Sequence, residues 1–169
     1  TYNMMATVQC GHPLENLEKM ANEHGLTTGH SPQSRPLALM GGLVATRSTG
    51  QFSTYYGGIE DMVCGLEAVM PDGRVIRIRN VPRRAAGPDL KQLFIGSEGA
   101  IGVITEVTVK LFPYYPDDIW MGGYIVDNID IGFEAIRDIM VSGYRPSVIR
   151  LYDKADMDHN FGSVQLKDE

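Results

Sequence analysis

Two glycine-rich segments carry the residue types best suited to holding a large, flat or phosphorylated ligand. Residues 96–102 read GSEGAIG, and glycines without a Cβ let main chain approach a ligand closely. Residues 41–50 read GGLVATRSTG, in which hydroxyls and main-chain N–H groups can donate to a phosphate and Arg47 adds a fixed positive charge. A tight helix-to-strand turn and a polar loop are the alternative interpretations of these two segments.

The glycine spacing at 96–102 does not match a Rossmann dinucleotide fingerprint, because the order of the flanking elements is reversed. The fingerprint requires a strand before the glycines and a helix after them, so that the pyrophosphate meets the helix N-terminus. Here the pattern predicts a short helix over 90–95, capped by Asp89, and then a strand over 103–111. The segment therefore indicates either a close backbone approach or a turn.

Other chemistry finds little support in the residue pattern. The four histidines lack metal-ligand spacing, and the segment around His30 has a plain loop as its simplest interpretation. Cys10 and Cys64 belong to no CxxC pair, so we expect two buried apolar side chains and neither a metal site nor a disulfide framework. No nucleophile elbow or Ser/His/Asp arrangement is recognisable.

Composition narrows the class of protein. The 169 residues are 43% hydrophobic, with a net charge of −6 and a pI near 5.2, which is typical of a globular domain and argues against a nucleic-acid binder. No apolar run approaches the ~18 residues of a membrane span. We expect a cytoplasmic protein with a small-molecule partner, no nucleic-acid partner and no membrane span, and leave a homodimer open.

Hydrophobic periodicity predicts the elements that must position these segments. A strand over 4–9 precedes a helix that begins at Pro13 and ends at Gly25. A glycine-rich irregular stretch over 26–60 contains one short helical turn, and a hairpin follows over 62–79. The residues predicted on the buried face of the helix are Leu14, Leu17, Met20 and Ala21. The residues predicted on one face of the last strand are Val103, Thr105, Val107, Val109 and Leu111.

A second unit follows a Pro- and Asp-rich boundary at 113–118. Strands over 120–126 and 148–152 flank a helix over 129–141, which would make one β-α-β unit. The chain opens in what reads as a strand over 2–9 and closes in a charged tail over 165–169. We therefore expect a piece of a longer protein.

Taken together, the segments resemble the FAD-linked oxidases of the vanillyl-alcohol-oxidase superfamily, whose FAD-binding domain is of the PCMH type. The resemblance is strongest to the alkylglycerone-phosphate synthase branch and its bacterial FAD-containing oxidoreductase relatives. It is densest over residues 26–113 and rests on TTGHSPQS, GGLVATRSTG, YGGIEDMVCGLEAVMPDGRV and GPDLKQLFIGSEGAIGVITEVTVKLFP.

The resemblance implies an α+β fold in two parts. Residues 1–112 would be the second subdomain of the FAD-binding domain, mainly an antiparallel sheet with flanking helices. Residues 113–169 would open a ferredoxin-like cap domain with its first β-α-β unit. The FAD-contacting residues that it implies are Gln33, Ser34, Leu37, Leu39, Thr46, Arg47, Ser48, Thr49, Glu98, Gly99, Ile101, Gly102, Val103 and Ile104.

The activity implied is that of an FAD-dependent oxidoreductase acting on a small hydroxy acid, alcohol or phosphate ester. Arg150 matches a family position that faces the active site, so we expect it to bind a substrate anion, with an exposed salt bridge as the alternative. Catalytic residues are expected outside this chain, which alone should be inactive. A synthase-like flavin transferase, an apo scaffold and a non-catalytic module of the same fold are the rival hypotheses.

Overall fold

The computed structural model describes residues 2–161, and the charged tail at 165–169 lies outside them. The elements in chain order are β1 (Met5–Gln9), α1 (Leu14–Asn22), β2 (Leu26–Thr27), α2 (Met40–Ala45), α3 (Ser53–Tyr56), α4 (Ile59–Met62), β3 (Val63–Val69), β4 (Val75–Ile78), α5 (Lys91–Phe94), β5 (Val103–Lys110), β6 (Phe112–Pro113), a 3-10 turn (Pro116–Asp118), α6 (Ile129–Val141) and α7 (Lys154–Phe161). Four of the strands form an antiparallel sheet in the order β1-β5-β3-β4, which shares one core with the helices α1, α2, α4 and α5. This arrangement confirms the predicted α+β class.

The first helix confirms the predicted span but not the predicted buried face. Met20 is 54% exposed, whereas Glu18 is buried together with Leu14 and Leu17. The exchange has a physical cause, because the Glu18 carboxylate accepts hydrogen bonds from Thr27 and Thr28 and is therefore satisfied inside the fold. Gly25 has φ 69°, as expected for a glycine that ends a helix in the left-handed conformation.

The strand β5 forms as predicted, but its alternation breaks near its start. The pairing of β3 with β5 passes from Glu67–Glu106 to Ala68–Ile104, so that Thr105 is an extra residue in a β-bulge. The bulge moves Ile104 against the core and leaves Val103 65% exposed, contrary to the predicted face. Strand β4 pairs antiparallel with β3, which confirms the hairpin.

The helix α5 forms without the predicted cap. Leu90 stands at its N-cap position, and the Asp89 carboxylate accepts instead from the Lys91 ammonium group. Lys91 is only 5% exposed, and a buried ammonium group left without a counter-charge would cost more than a missing cap.

The predicted β-α-β unit forms only in part. Helix α6 has the predicted bounds, and the Asn128 side chain accepts from the Ile131 N–H at 3.0 Å and so caps it. The segments 120–126 and 148–152 are not strands, so this prediction was wrong. A two-stranded sheet buries too little surface to offset the cost of ordering it, and residues 119–125 are exposed. Leu151 packs on α6 at Gly132 instead.

Among the described residues, no helix combines the length and the apolar character needed to cross a lipid bilayer.

Candidate functional site

The candidate site is organised around the C-terminal end of α2. The N–H of Ser48 donates to the carbonyl oxygen of Leu43 at 2.9 Å, and the Thr46 hydroxyl donates to that of Gly42 at 2.9 Å. Between them Arg47 has φ 51°, in the left-handed region where glycine usually ends a helix. The predicted cofactor-binding residues fall in three stretches, 33–39, 46–49 and 98–104, and this bend presents the second of them at the surface.

The glycine-rich turn at 96–99 packs onto the same end of α2. The N–H of Gly96 donates to the carbonyl oxygen of Val44, and the N–H of Glu98 to that of Ala45, each at 3.0 Å. A Cβ placed on Gly96 would lie 3.2 Å from the Cβ of Arg47. The fold therefore brings the second predicted stretch against the first.

The segment at 30–34 closes in from the other side. The Nε2 atom of His30 lies 3.2 Å from the Ser48 hydroxyl oxygen, and the N–H of Gln51 donates to the Ser31 carbonyl oxygen at 2.9 Å. A Cβ on Gly50 would lie 2.7 Å from the main-chain nitrogen of Ser31, so a glycine is needed for this close approach. The predicted stretches 46–49 and 98–104 thus meet at the end of α2, and residues 30–31, which directly precede the predicted stretch 33–39, contact Ser48 and Gln51.

An open cleft of about 530 Å³ lies between these segments. The cleft is lined by four predicted cofactor residues and the predicted substrate residue, namely Gln33, Ser34, Ser48, Thr49 and Arg150. It is also lined by Pro32, Gly50 and Gln51, which were not predicted. Hydroxyls, a carboxamide and a guanidinium group make this surface suitable for an anionic or hydroxyl-rich ligand.

The remaining predicted cofactor residues lie outside that cleft. Leu37, Leu39, Thr46, Arg47, Glu98, Gly99 and Val103 are exposed, whereas Ile101 and Ile104 pack partly against the core. Glu98, like Arg47, has a left-handed backbone, with φ 48°. Backbone strain of this kind persists only where the surrounding structure enforces it, and it is concentrated at ligand-binding sites. The N–H of Arg47 donates to the Val44 carbonyl oxygen at 3.3 Å, whereas its guanidinium group makes no hydrogen bond or ion pair with any residue that the structure describes.

Glycine is favoured for different structural reasons at the two glycine positions of the bend formed by residues 99–102. Gly99 is exposed with φ 86°, and an added Cβ would meet no atom within 4 Å. Gly102 is buried, and its Cβ would lie 2.8 Å from the Val69 carbonyl oxygen. Packing against β3 is therefore by itself a sufficient reason for the glycine at 102.

Burial lowers the pKa of His30 to about 4, so its imidazole is neutral at physiological pH. Its Nδ1 atom is buried and has no hydrogen-bond partner within residues 2–161. Sequence reasoning gave His30 only a loop role and missed its contact with Ser48. The clustered polar sequence TTGH, flanked by glycine, was the one available signal.

Arg150 is exposed and donates from Nη1 to the Tyr152 hydroxyl oxygen at 3.3 Å. It forms no ion pair with the residues that the structure describes. Within residues 2–161, no group of three or more His, Cys, Asp or Glu side chains is placed to hold a metal ion.

Comparison with known proteins identifies the fold and the cofactor class. The sequence profile of the FAD binding domain family matches residues 1–79. The uncharacterized FAD-linked oxidoreductase YgcU of Escherichia coli (strain K12) is 63% identical over 159 residues, which are 94% of this chain and 33% of that protein. Alkyldihydroxyacetonephosphate synthase of Caenorhabditis elegans is 37% identical over 151 residues, 89% of this chain and 25% of that protein.

A solved structure of alkyldihydroxyacetonephosphate synthase is 38% identical to this chain, with a TM-score of 0.60 over 66% of the chain and 20% of the solved chain. These matches confirm the resemblance and the cofactor, FAD. The chain spans a third of the length of the YgcU protein and a quarter of that of the worm synthase.

Proposed function

We propose that this chain, which belongs to the FAD-linked oxidoreductases and carries their FAD-binding domain at residues 1–79, forms one side of the FAD site of a flavin-dependent oxidoreductase. The observation that carries the proposal is the meeting of three separate stretches, 30–34, 46–49 and 96–99, around the end of α2. Two of these stretches hold an exposed residue in the strained left-handed conformation, Arg47 and Glu98.

The chemistry of the exposed groups fits FAD. Hydroxyls of Ser34, Ser48 and Thr49 with the carboxamide of Gln33 would hold the ribityl and pyrophosphate portions through hydrogen bonds, and Arg47 would balance phosphate charge. Exposed main chain at 98–99 and the apolar face at 101–104 would lie toward the isoalloxazine and adenosine side. Bound FAD would supply a two-electron acceptor, and the residues named here would bind and orient it.

The remaining boundary predictions are part of this proposal. We assign 1–112 to the second FAD subdomain and 113–169 to the opening of a cap domain that bears Arg150. The antiparallel pairing of Met5 with Lys110 supports a unit that closes on itself near 112. Arg150 would bind a substrate anion, and its position beside Ser48 and Thr49 in one cleft supports a role next to the cofactor.

The direct test is the cofactor content of the intact protein that contains this chain. It should purify with a flavin absorbance band, or take up added FAD with quenching of flavin fluorescence. A pure, folded, colourless protein that ignores added FAD would contradict the proposal. For the isolated 169-residue chain we expect weak uptake, because one side of the site alone makes only part of the contacts, and tight stoichiometric uptake would refute the apo-scaffold hypothesis.

A synthase-like flavin transferase is the second candidate function, favoured by the similarity to alkyldihydroxyacetonephosphate synthase. The two candidates differ in net redox change. An oxidoreductase needs an electron acceptor for every turnover, whereas a redox-neutral transferase needs none. Turnover of the intact protein measured with and without an acceptor dye separates them. In either case, Arg150→Ala should raise KM for an anionic substrate more than Arg150→Lys does.

We also propose that the protein binds no nucleic acid, lies in the cytoplasm and forms a homodimer. The net charge of −6 favours a protein that does not bind nucleic acid, and the low cysteine content favours the cytoplasm. A homodimer is the remaining expectation. Cell fractionation, a nucleic-acid gel shift at low salt and light scattering on the intact protein test the three points.

A further inference from the structure

A buried carboxylate outside the cleft is connected to it by hydrogen bonds. Glu18 lies on α1 and is only 5% exposed. Its Oε1 atom accepts from the Thr27 hydroxyl at 2.6 Å, and its Oε2 atom accepts from the Thr28 N–H at 2.9 Å and from the Thr28 hydroxyl at 2.5 Å. No cation pairs with this carboxylate among the described residues. Burying a carboxylate is costly unless it is hydrogen-bonded. The three donors from Thr27 and Thr28 offset that cost and hold the carboxylate and this segment in one arrangement.

The same two threonines also hydrogen-bond to the backbone of the residues that follow them, up to His30. The Thr27 hydroxyl oxygen accepts from the Gly29 N–H at 3.0 Å, and the Thr28 hydroxyl oxygen accepts from the His30 N–H at 3.3 Å. Each hydroxyl therefore donates to the carboxylate and accepts from the backbone two residues further on. Both threonines and His30 are buried, so water does not compete for these hydrogen bonds.

His30 completes the connection to the cleft. Its imidazole contacts the hydroxyl of Ser48, which lines the cleft, and residues of its own segment, Pro32 to Ser34, line the same cleft. We call the connected residues Glu18, Thr27, Thr28, His30 and Ser48 the Glu18 relay. It joins α1 to the cleft residue Ser48 through Glu18, Thr27, Thr28 and His30, none of which lines the cleft.

We propose that the Glu18 relay fixes the positions of residues 30–34 and Ser48 for the cofactor, with Glu18 as a positioning residue. The inference rests on the proposed FAD site for its functional meaning. The relay itself is a property of the protein without ligand, so it is testable separately. Glu18 contributes by holding the two threonines in one orientation, because a carboxylate has only acceptors and forces both hydroxyls to donate to it.

The first experiment measures the relay on the chain without FAD. Glu18→Gln and Thr28→Val should each move the His30 titration, followed by NMR, from about pH 4 toward its ordinary value of 6.5. The same variants should speed amide exchange at 28–30 about tenfold or more, the factor expected for one lost hydrogen bond to a charged group. Thr28→Ser keeps the hydroxyl and should keep both wild-type signatures.

A matched control removes an equally buried threonine hydroxyl elsewhere. Thr108 lies in the sheet, is as buried as Thr28, and shares a 2.7 Å hydrogen bond with Thr7. Thr108→Val should lower stability and leave the His30 titration unchanged. The proposal is overturned if Glu18→Gln and Thr28→Val leave His30 titration and 28–30 exchange unchanged, or if they accelerate exchange in the sheet just as much.

The second experiment measures FAD affinity in the intact protein. Thr28→Val and Glu18→Gln should raise Kd about tenfold, whereas Thr28→Ser and Thr108→Val should not. If wild type takes up no FAD, the proposed function fails while the relay is still judged by the His30 titration. If wild type binds and all four variants bind equally well, the positioning role is refuted.

Discussion

Arg47 and Glu98 both have a left-handed backbone, with φ of 51° and 48°, in two loops that pack on the same end of α2. Neither residue is glycine, and each exposes its side chain to solvent. A left-handed conformation costs an L-residue roughly 1–2 kcal/mol, so the fold sustains this strain at two adjacent surface positions. The strain directs a guanidinium and a carboxylate outward next to the cleft.

Replacing Arg47 by glycine should therefore separate stability from binding. Relief of the left-handed strain and the greater flexibility of the unfolded chain nearly cancel, so we expect Arg47→Gly to change the free energy of unfolding by about 0 to +1 kcal/mol. FAD affinity of the intact protein should fall about tenfold with the loss of the charge. Arg47→Lys, which keeps charge and strain, is the control. A loss of more than about 2 kcal/mol in urea unfolding would show that Arg47 stabilises the fold.

Adjacent glycines in α2 should respond oppositely to alanine. A Cβ at Gly41 would lie 2.6 Å from the Cβ of Cys10, whereas one at Gly42 would meet nothing within 4 Å. We expect Gly41→Ala to destabilise by about 1–3 kcal/mol through overpacking against Cys10, and Gly42→Ala to stabilise by about 0.5–1 kcal/mol as a helical substitution. Chemical denaturation of the two variants side by side measures the difference, and equal effects would contradict the packing described here.

Alanine at Gly102 should destabilise the fold without a specific effect on cofactor binding. The added Cβ would lie 2.8 Å from the Val69 carbonyl oxygen, and main chain cannot move aside as a flexible side chain can. We expect Gly102→Ala to cost about 1–3 kcal/mol in the free energy of unfolding. The folded fraction of the intact variant should bind FAD with wild-type affinity. A tenfold weaker affinity at unchanged stability would show instead that Gly102 itself contacts the cofactor.

Burial of His30 makes stability depend on pH. Its pKa is lowered by burial from 6.5 to about 4, so between these values the unfolded chain binds a proton that the folded chain does not. The free energy of unfolding should accordingly fall as pH drops from 6.5 to 4, by up to about 3 kcal/mol. His30→Asn should lose this dependence, and the difference between the two pH curves cancels the carboxylate contributions. Parallel curves would show that His30 titrates normally.

Local sequence signals predicted most of the helices and strands within residues 1–113. The proline before α1 and the alternating sequence of 103–111 encode α1 and β5 within their own residues, so both elements were identifiable without tertiary information, although the bulge in β5 was not. The helix α6 was equally readable because its cap and apolar spacing are local. The segments 120–126 and 148–152 have strand-like composition, yet a strand needs a partner, and no local pattern can supply one.

The candidate site was predictable as a set of stretches but not as a geometry. Family resemblance placed Gln33, Ser48 and Glu98 in cofactor-binding stretches, while only the structure shows that 46–50 is where those stretches meet. Glu18 escaped attention because a glutamate is normally expected to face solvent, although it lies one turn after the buried Leu14 on the same helix face. Its burial depends on Thr27 and Thr28, which lie beyond the helix, so the deciding interaction is tertiary.

The antiparallel register that sets Met5 opposite Lys110 has a consequence for the architecture of longer homologues. Polypeptide entering this unit and polypeptide leaving it pass through the same end of one sheet, only a strand spacing apart. Modules joined before and after it are thereby tethered to a common corner. A cofactor lodged between such modules would be enclosed by segments distant in sequence, without any long connecting loop.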